Sequence, residues 1–468
     1  MPADTGAGAA AWLVRPVARW GFGVAAFGLL ERWGLWRIYQ PISYGDTAPY
    51  MRLADDLLTR GLGGYDGTRV PGYPVFLALL GMDPDRIWLV QMALGWGISL
   101  LLFWIAWRTS GSAPLGAILA LTYDLIPGLF FFEANLLSET LAAFTVVLSL
   151  ALFVALMQAP EGWHGLLLSF CLGLAGAVAG LVRPMFYLLP VWLLPFVALG
   201  SRGPAVDGGS GLRGALAGLR RGWRARLARV AVFALPAAIL LGGWVGWVYR
   251  NYGMLSPDTK GGFYLVQHTG NFFEYLPDED ALIRDTYLRY RDAQVAERGD
   301  QTNAIYAAIP ELIRVTGMSI FDLSRELQRL SLRLIRQHPD LYLRSVVEGW
   351  VDFWRAPVYW RPELLAVPLS PGFLASIAYL GRLVAVAVNA AFLGLAALAL
   401  LWPRARRRLG VDRIALVCGG LVLLSSAVQT LVEHGDNPRF LVPLQMVVFY
   451  VVLRSLWVWR KTGPEVRA

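Results

Sequence analysis

Long apolar runs alternate with short charged connections along the chain, and the runs define its architecture. Ten of them read as membrane-crossing helices, for which about 20 predominantly apolar residues suffice. They cover 17–38, 87–107, a run from Pro114, then 139–157, 166–182, 184–199, 230–249, 383–402, 414–432 and 441–459. The first is the weakest, because Glu31 and Arg32 interrupt it near its outer end. The third is compromised by Asp124 and Pro127. Two stretches break the pattern. Residues 39–76 read YQPISYGDTAPYMRLADDLLTRGLGGYDGTRVPGYPVF, with Asp46, Asp55, Asp56 and Asp66 beside Arg52, Arg60 and Arg69. A helix fits 48–59, and Gly61, Gly63 and Gly64 end it, since glycine accepts the positive φ of a helix stop. Residues 250–382 form a second unit. There 279–298 is polar and amphipathic, and 319–338 places Ile320, Leu323, Leu327, Leu330, Leu334 and Ile335 at helical spacing. The stretch 340–356 carries Trp350, Phe353 and Trp354, aromatic residues suited to a membrane interface.

Composition agrees with this pattern. Of 468 residues 56% are hydrophobic and 16% charged, with mean hydropathy +0.49. A soluble protein carries about 25% charge. The fold class is therefore an all-α polytopic membrane protein of about ten transmembrane helices with a small, mainly helical extracytoplasmic domain. Three units follow: 1–249, 250–382 and 383–468. The net charge of +9 lies in short loops, so it marks topology and not nucleic-acid binding. Arginines crowd 200–229 and 403–413, Arg15 and Arg19 stand at the start of the first run, and Arg460 and Lys461 follow the last. These regions share one side only if ten runs cross, and the positive-inside rule makes that side the cytoplasm. Both termini then lie in the cytoplasm, and 39–86 and 250–382 face out. Residues 201–214, rich in Gly and Arg, read as a flexible linker, and no cleavable signal peptide is expected at the N-terminus. Lys260 and Lys461 are the only lysines. Cys171 and Cys418 fall inside apolar runs, and His268, His338 and His434 are scattered, so no metal-ligand set and no cofactor motif is visible; a divalent cation stays open.

Three acids and four arginines carry the candidate chemistry. Asp46 can act as a proton acceptor or as a cap for the 48–59 helix. Ser138 can cap the helix that Glu139 begins, with Glu139 favoured there by the helix dipole. Asp124 reads either as a third site acid or as a membrane-edge charge in water. Arg69, Arg183, Arg250 and Arg439 fall at the outer ends of expected spans, against the positive-inside bias. Each alone can snorkel or pair with a carboxylate; together they suit a phosphate, which guanidinium binds bidentately.

A Gly-Asp pair after the first span, a short helix and then Arg-x-Pro-Gly-Tyr-Pro at 69–74 resemble the first extracytoplasmic loop of GT-C class glycosyltransferases. The bacterial protein-mannosyltransferase and aminoarabinose-transferase type is the nearest likeness. GLVRPMFYLLP (180–190), WVGWVYRNYG (244–253), LIRQHPDLYL (334–343) and EHGDNPRFLVP (433–443) are also similar to stretches of that family. The resemblance implies a GT-C-like bundle with Asp46 as catalytic base and Glu139 beside it, where many relatives carry Asp. Relatives commonly have proline at the position of Asp124. It further implies substrate binding by Arg69, Tyr73, Asp124, Arg183, Arg250, Asn251 and Arg439. The implied reaction moves a sugar from a polyprenyl-phosphate donor to a hydroxyl of a glycan, lipid or protein. It occurs at the outer face of a bacterial cytoplasmic membrane, in one inverting displacement and with no nucleic acid partner. A transporter or flippase for a lipid-linked sugar and a non-catalytic lipid-binding assembly factor are the competing classes.

Overall fold

The computed structural model describes residues 16–159, 162–200, 223–367 and 370–461. Arg15, Arg202, Arg213, Arg220 and Arg221, which carry part of the topology argument, and the 201–214 linker lie outside these residues. Each expected apolar run is helical. The elements are α1 (Pro16–Ile38), α2 (Thr47–Arg60), α3 (Gly72–Leu79), α4 (Pro84–Ser110), α5 (Ala113–Leu125), α6 (Glu139–Gln158), α7 (Trp163–Val182) and α8 (Leu188–Leu199). They continue with α9 (Trp223–Tyr252, with a π-helical turn at Ala238–Gly242), α10 (Gly261–Thr269), α11 (Ala281–Arg298), α12 (Ala304–Thr316), α13 (Ile320–Gln337) and α14 (Pro339–Phe353). The chain ends with α15 (Pro371–Leu401), α16 (Arg413–Val432) and α17 (Asn437–Lys461).

Among the described residues seven helices are long and apolar enough to cross a membrane: α4, α6, α7, α9, α15, α16 and α17. Two bent pairs raise the number to nine if each counts as one crossing. One is the expected third span, where the chain turns 71° between α5 and the Pro127–Ala134 segment. Pro127 causes the break: it has no N–H to continue the helix and disfavours α geometry at Ile126. The other pair, α12 and α13, bends by 105°. Its apolar faces meet each other, with Leu312, Leu323, Leu327, Leu330 and Leu334 in a core shared with Phe263, Phe273 and Tyr287. Neither α1 nor the apolar segment Pro184–Leu199 qualifies by length and composition. Many side chains of α9 and α15 are exposed and apolar, among them Leu227, Leu235, Ile239, Leu380, Leu383 and Leu400. Such surfaces suit lipid contact.

The expected unit 250–382 needs correcting at its far end. Its separate core is built from residues 263–334. Helix α14 instead packs on α16 and α17. Phe353 and Trp354 are buried in the main bundle core and Trp350 packs against it, so these rings are not spread on an interface. The helix expected from 383 already begins at Pro371, where Ser370 caps it by accepting from Phe373 N. The sequence reading also missed α10, which at nine residues is too short to show an apolar repeat, and α12, whose Ile305, Ala308 and Leu312 do recur at helical spacing.

Candidate functional site

The loop after α1 is held by backbone pairing with the broken segment. Ile42 bridges Asn135 in parallel, Ile42 N donates to Ala134 O at 2.8 Å and Leu136 N donates to Ile42 O at 2.9 Å. Thr47 Oγ1 adds a bond to Leu136 O at 3.0 Å. This pairing sets Asp46, just ahead of α2, beside the start of α6. Asp46 does not cap α2: it has helical φ/ψ of −78° and −16°, and its side chain makes no cap bond. Its carboxylate turns instead to two arginines. Arg69 Nη2 lies 2.5 Å from Oδ1, and Arg439 Nη1 lies 2.6 Å from Oδ2.

Glu139 extends the cluster. Arg183 Nη1 donates to its Oε1 at 2.6 Å, and Arg439 Nε donates to the same oxygen. Glu139 is 0% exposed, whereas the Asp46 side chain is 32% exposed. The expected Ser138 cap of α6 is also absent. The Ser138 hydroxyl lies 3.3 Å from the Tyr50 hydroxyl instead.

The arginines are placed by local chemistry. Arg183 ends α7 in extended geometry, as the residue before a proline does. Gly72 lies against that same end: a Cβ there would sit 2.5 Å from Leu181 O, so only glycine allows the 69–74 loop to approach so closely. Arg69 stacks over Tyr50, 4.4 Å from the ring centre. Arg439 follows Pro438 in the first turn of α17 and lies 5.9 Å from the Tyr359 ring centre. The Tyr359 hydroxyl in turn donates to Asp436.

Lys260 joins this neighbourhood, although the sequence marked it only as a rare lysine. The 258–260 stretch is fixed to the Arg69 loop by Thr259 N donating to Gly67 O at 3.0 Å. Lys260 Nζ lies 5.2 Å from the Tyr264 ring centre and 5.9 Å from that of Tyr306. Burial, then Arg69, pushes its amine down to about 8, against opposing attraction from Asp258, Asp46 and Glu433. Burial also disfavours the Asp46 carboxylate, but Arg69, Arg439 and Lys260 outweigh it and hold the group well below the usual carboxylate range.

Other expected site residues lie apart. Tyr73 is fully buried, its hydroxyl donating to Gln91 Oε1 at 3.0 Å, and it serves as support for Tyr50 in edge contact at 4.9 Å. Asp124 is 1% exposed, so it is not a charge in water. It pairs with Arg32 at 3.0 Å and accepts from Ser99 at 2.6 Å. Arg32 also holds Glu133 at 2.6 and 2.9 Å. The signal for this second cluster was present: Arg32 in one apolar run faces two acids in the next ones, and charges inside spans seek partners. Arg250 and Asn251 are exposed at the end of α9. Asn251 bonds Trp247 O at 2.8 Å, and Arg250 makes no ion pair with the cluster among the described residues. His268 and His434, far apart in sequence, both lie 2.9 Å from Ser345 Oγ. Among the described residues no group of three or more His, Cys, Asp or Glu side chains could hold a metal ion.

Comparison with known protein families, with curated proteins and with solved structures finds no match for this chain.

Proposed function

We propose that this is a membrane glycosyltransferase of the GT-C class, acting on a polyprenyl-phosphate-linked sugar at the outer face of the cytoplasmic membrane. One observation carries the reading. Asp46, Arg69, Glu139, Arg183 and Arg439, from five separate segments, join in one chain of ion pairs. Each guanidinium has five N–H donors, more than these pairs use, so each keeps donors for an incoming anion. With α1, the broken α5 segment and Pro184–Leu199 added to the seven apolar helices, ten crossings would put this cluster on the side opposite the arginine-rich loops.

In the proposed reaction the acceptor oxygen attacks the anomeric carbon. The bond from that carbon to the phosphate oxygen breaks, and its electron pair leaves with polyprenyl phosphate. The hydroxyl proton passes to Asp46. A phosphate leaving group needs cations more than a proton donor, and Arg69, Arg183, Arg439 and Lys260 supply them. Asp46 bridged by two arginines is a weak base. Donor phosphate competes for Arg69 and Arg439, and as their N–H groups turn to it the carboxylate regains basicity. Donor binding thereby switches on the base.

The double pairing of Asp46 also favours a second reading, in which the carboxylates only hold the arginines for a lipid phosphate. A flippase or lipid-binding assembly factor needs no more. Mass spectrometry of products after feeding the purified protein a panel of polyprenyl-phosphate sugars separates the two. A transferase releases polyprenyl phosphate and a glycosylated acceptor; a binder returns the donor unchanged.

A further inference from the structure

The segment 133–136, which holds the Asp46 loop, is itself gripped from α4. Its backbone carbonyls are claimed alternately from two sides. Ala134 O accepts from Ile42 N at 2.8 Å and Leu136 O from Thr47 Oγ1 at 3.0 Å, both in the loop that carries Asp46. Glu133 O and Asn135 O accept instead from the side-chain amide of Gln91, at 2.9 and 2.8 Å. The oxygen of that amide accepts from the Tyr73 hydroxyl at 3.0 Å. Gln91 is fully buried. The position suits an amide, which offers two N–H donors and an acceptor at one end; lysine has no acceptor and an ionised glutamate no donor.

The same face of α4 seats the rest of the broken span. Gly95 and Ser99 follow Gln91 at intervals of four residues, one above the other on the helix. A side chain at Gly95 would collide with the Glu133 carboxylate, and Ser99 donates to Asp124. Arg32 anchors the Glu133 side chain from α1. Gln91 adds what these contacts lack, a hold on the backbone that pairs with Ile42 and Thr47. A second line runs from the same amide. Tyr73 stands edge-on to Tyr50, and Arg69, the ion partner of Asp46, lies over the Tyr50 ring.

We infer that Gln91 is a positioning residue, which sets the Asp46 carboxylate for proton acceptance through the 133–136 segment. This role rests on the transferase reading for the reaction, and on the hydrogen bonds above for the path. Among the described residues Gln91 makes no hydrogen bond to the ion-pair cluster itself. Arg183 and Arg439 are anchored on Glu139, so donor phosphate binds without the help of Gln91. The plainer role is to satisfy two carbonyls at a helix break inside the bundle, where each buried polar group needs a partner. That role alone predicts a loss of stability and no selective loss of rate.

The test is a double-mutant cycle in the full-length protein in detergent, with Gln91→Met, Thr47→Val and the two combined. Each substitution keeps the size of the side chain and removes its hydrogen bonds. Single-turnover release of polyprenyl phosphate gives the rate, and fluorescence titration with undecaprenyl phosphate gives the affinity. A small misplacement of a reacting group costs about 100-fold in rate. Each single variant should therefore release product about 100-fold more slowly, with affinity within about threefold of the parent. Both act through one segment, so the double variant should be no slower than the slower single one. Thr47→Ser keeps the hydroxyl and should restore the parent rate. Should Gln91→Met fail to fold, Gln91→Glu, which keeps the bond from Tyr73, takes its place in the cycle. Parent-like rates in the single variants, losses that multiply in the double variant, or affinity that falls as far as the rate overturns the assignment. The parent's own release separates the two levels. No release by the parent from any donor removes the transferase and with it the role of Gln91; release by the parent and by both single variants at equal rates removes the role of Gln91 alone.

Discussion

Arg439 and Asp46 stand 393 positions apart in sequence, yet Nη1 of one lies 2.6 Å from Oδ2 of the other. The contact joins the last helix to the first loop and places α17, through Glu139, against α6. Closing so long a loop costs conformational entropy, which the surrounding helix packing must offset. The pair is therefore a product of the assembled bundle.

The two carboxylates of the cluster should differ in their effect on stability. Glu139 is fully buried and compensates both Arg183 and Arg439. Removing one partner of a buried ion pair costs about 3–5 kcal/mol, so Glu139→Gln should destabilise the protein by that amount. Asp46 touches solvent, and Asp46→Asn should cost less, about 1.5–3 kcal/mol, the range of a hydrogen bond to a charged group. Denaturant unfolding of the detergent-solubilised variants checks the order. Equal losses would contradict Glu139 as the anchor.

Donor affinity should depend on guanidinium geometry and not only on charge. Arg69→Lys and Arg439→Lys keep the charge but lose the planar fork. Hydrogen bonds to charged groups are worth about 1.5–3 kcal/mol, so each variant should bind donor about 10- to 150-fold more weakly. Arg250→Ala, at an exposed position outside the ion pairs, should stay within about threefold of the parent, a difference under 1 kcal/mol. Fluorescence titration with a polyprenyl-phosphate sugar reads both. Parent-like affinity in both lysine variants would remove the phosphate site.

Lys260 gives the site a pH dependence. Its amine, pushed down to about 8 by burial and Arg69, titrates near 10.4 in the unfolded chain. Between these values the unfolded chain holds a proton that the folded protein has lost. The unfavourable contribution to folding is full below about pH 8 and is relieved as pH rises toward 10.4, so stability increases across that window. Donor binding runs the other way, since a neutral amine no longer attracts phosphate. Affinity should fall as pH rises through about 8, and Lys260→Gln should flatten the curve there. A parent affinity constant from about pH 7 to 9.5, a range that brackets the folded-state pKa, would exclude Lys260 from the phosphate site.

Orientation can be tested with single cysteines in a background lacking Cys171 and Cys418. Arg407→Cys, in the exposed Pro403–Arg408 segment, and Asp300→Cys, between α11 and α12, should label from opposite sides. Labelling from one side would contradict the ten-crossing arrangement.

Helix positions were legible because apolar runs and their breakers are local. Arg69, Arg183 and Arg439 could be suspected because each opposes the charge bias of membrane loops. Their convergence with Asp46 and Glu139 was suspected through resemblance, since contacts across hundreds of residues leave no local pattern. Asp46 and Ser138 show the limit most clearly. Both have the residue type and position of a helix cap, yet long-range partners take their side chains. Lys260 was hidden because one lysine in a polar connection carries no period. Asp124 stayed open between two roles because its partner Arg32 lies in a different run, and a pattern read along one segment does not pair charges between segments.

The central claim is that Asp46 accepts the acceptor proton in transfer from a polyprenyl-phosphate donor. Its most direct test is the single-turnover rate of polyprenyl-phosphate release by the parent and by Asp46→Asn, with donor binding measured alongside. Asparagine keeps the size of the side chain and removes proton acceptance, and loss of a positioned base costs about 100- to 10,000-fold in rate. The account predicts a folded variant that binds donor and releases product slower by that factor. Release by Asp46→Asn within a few-fold of the parent, or no release by the parent from any donor, would contradict it.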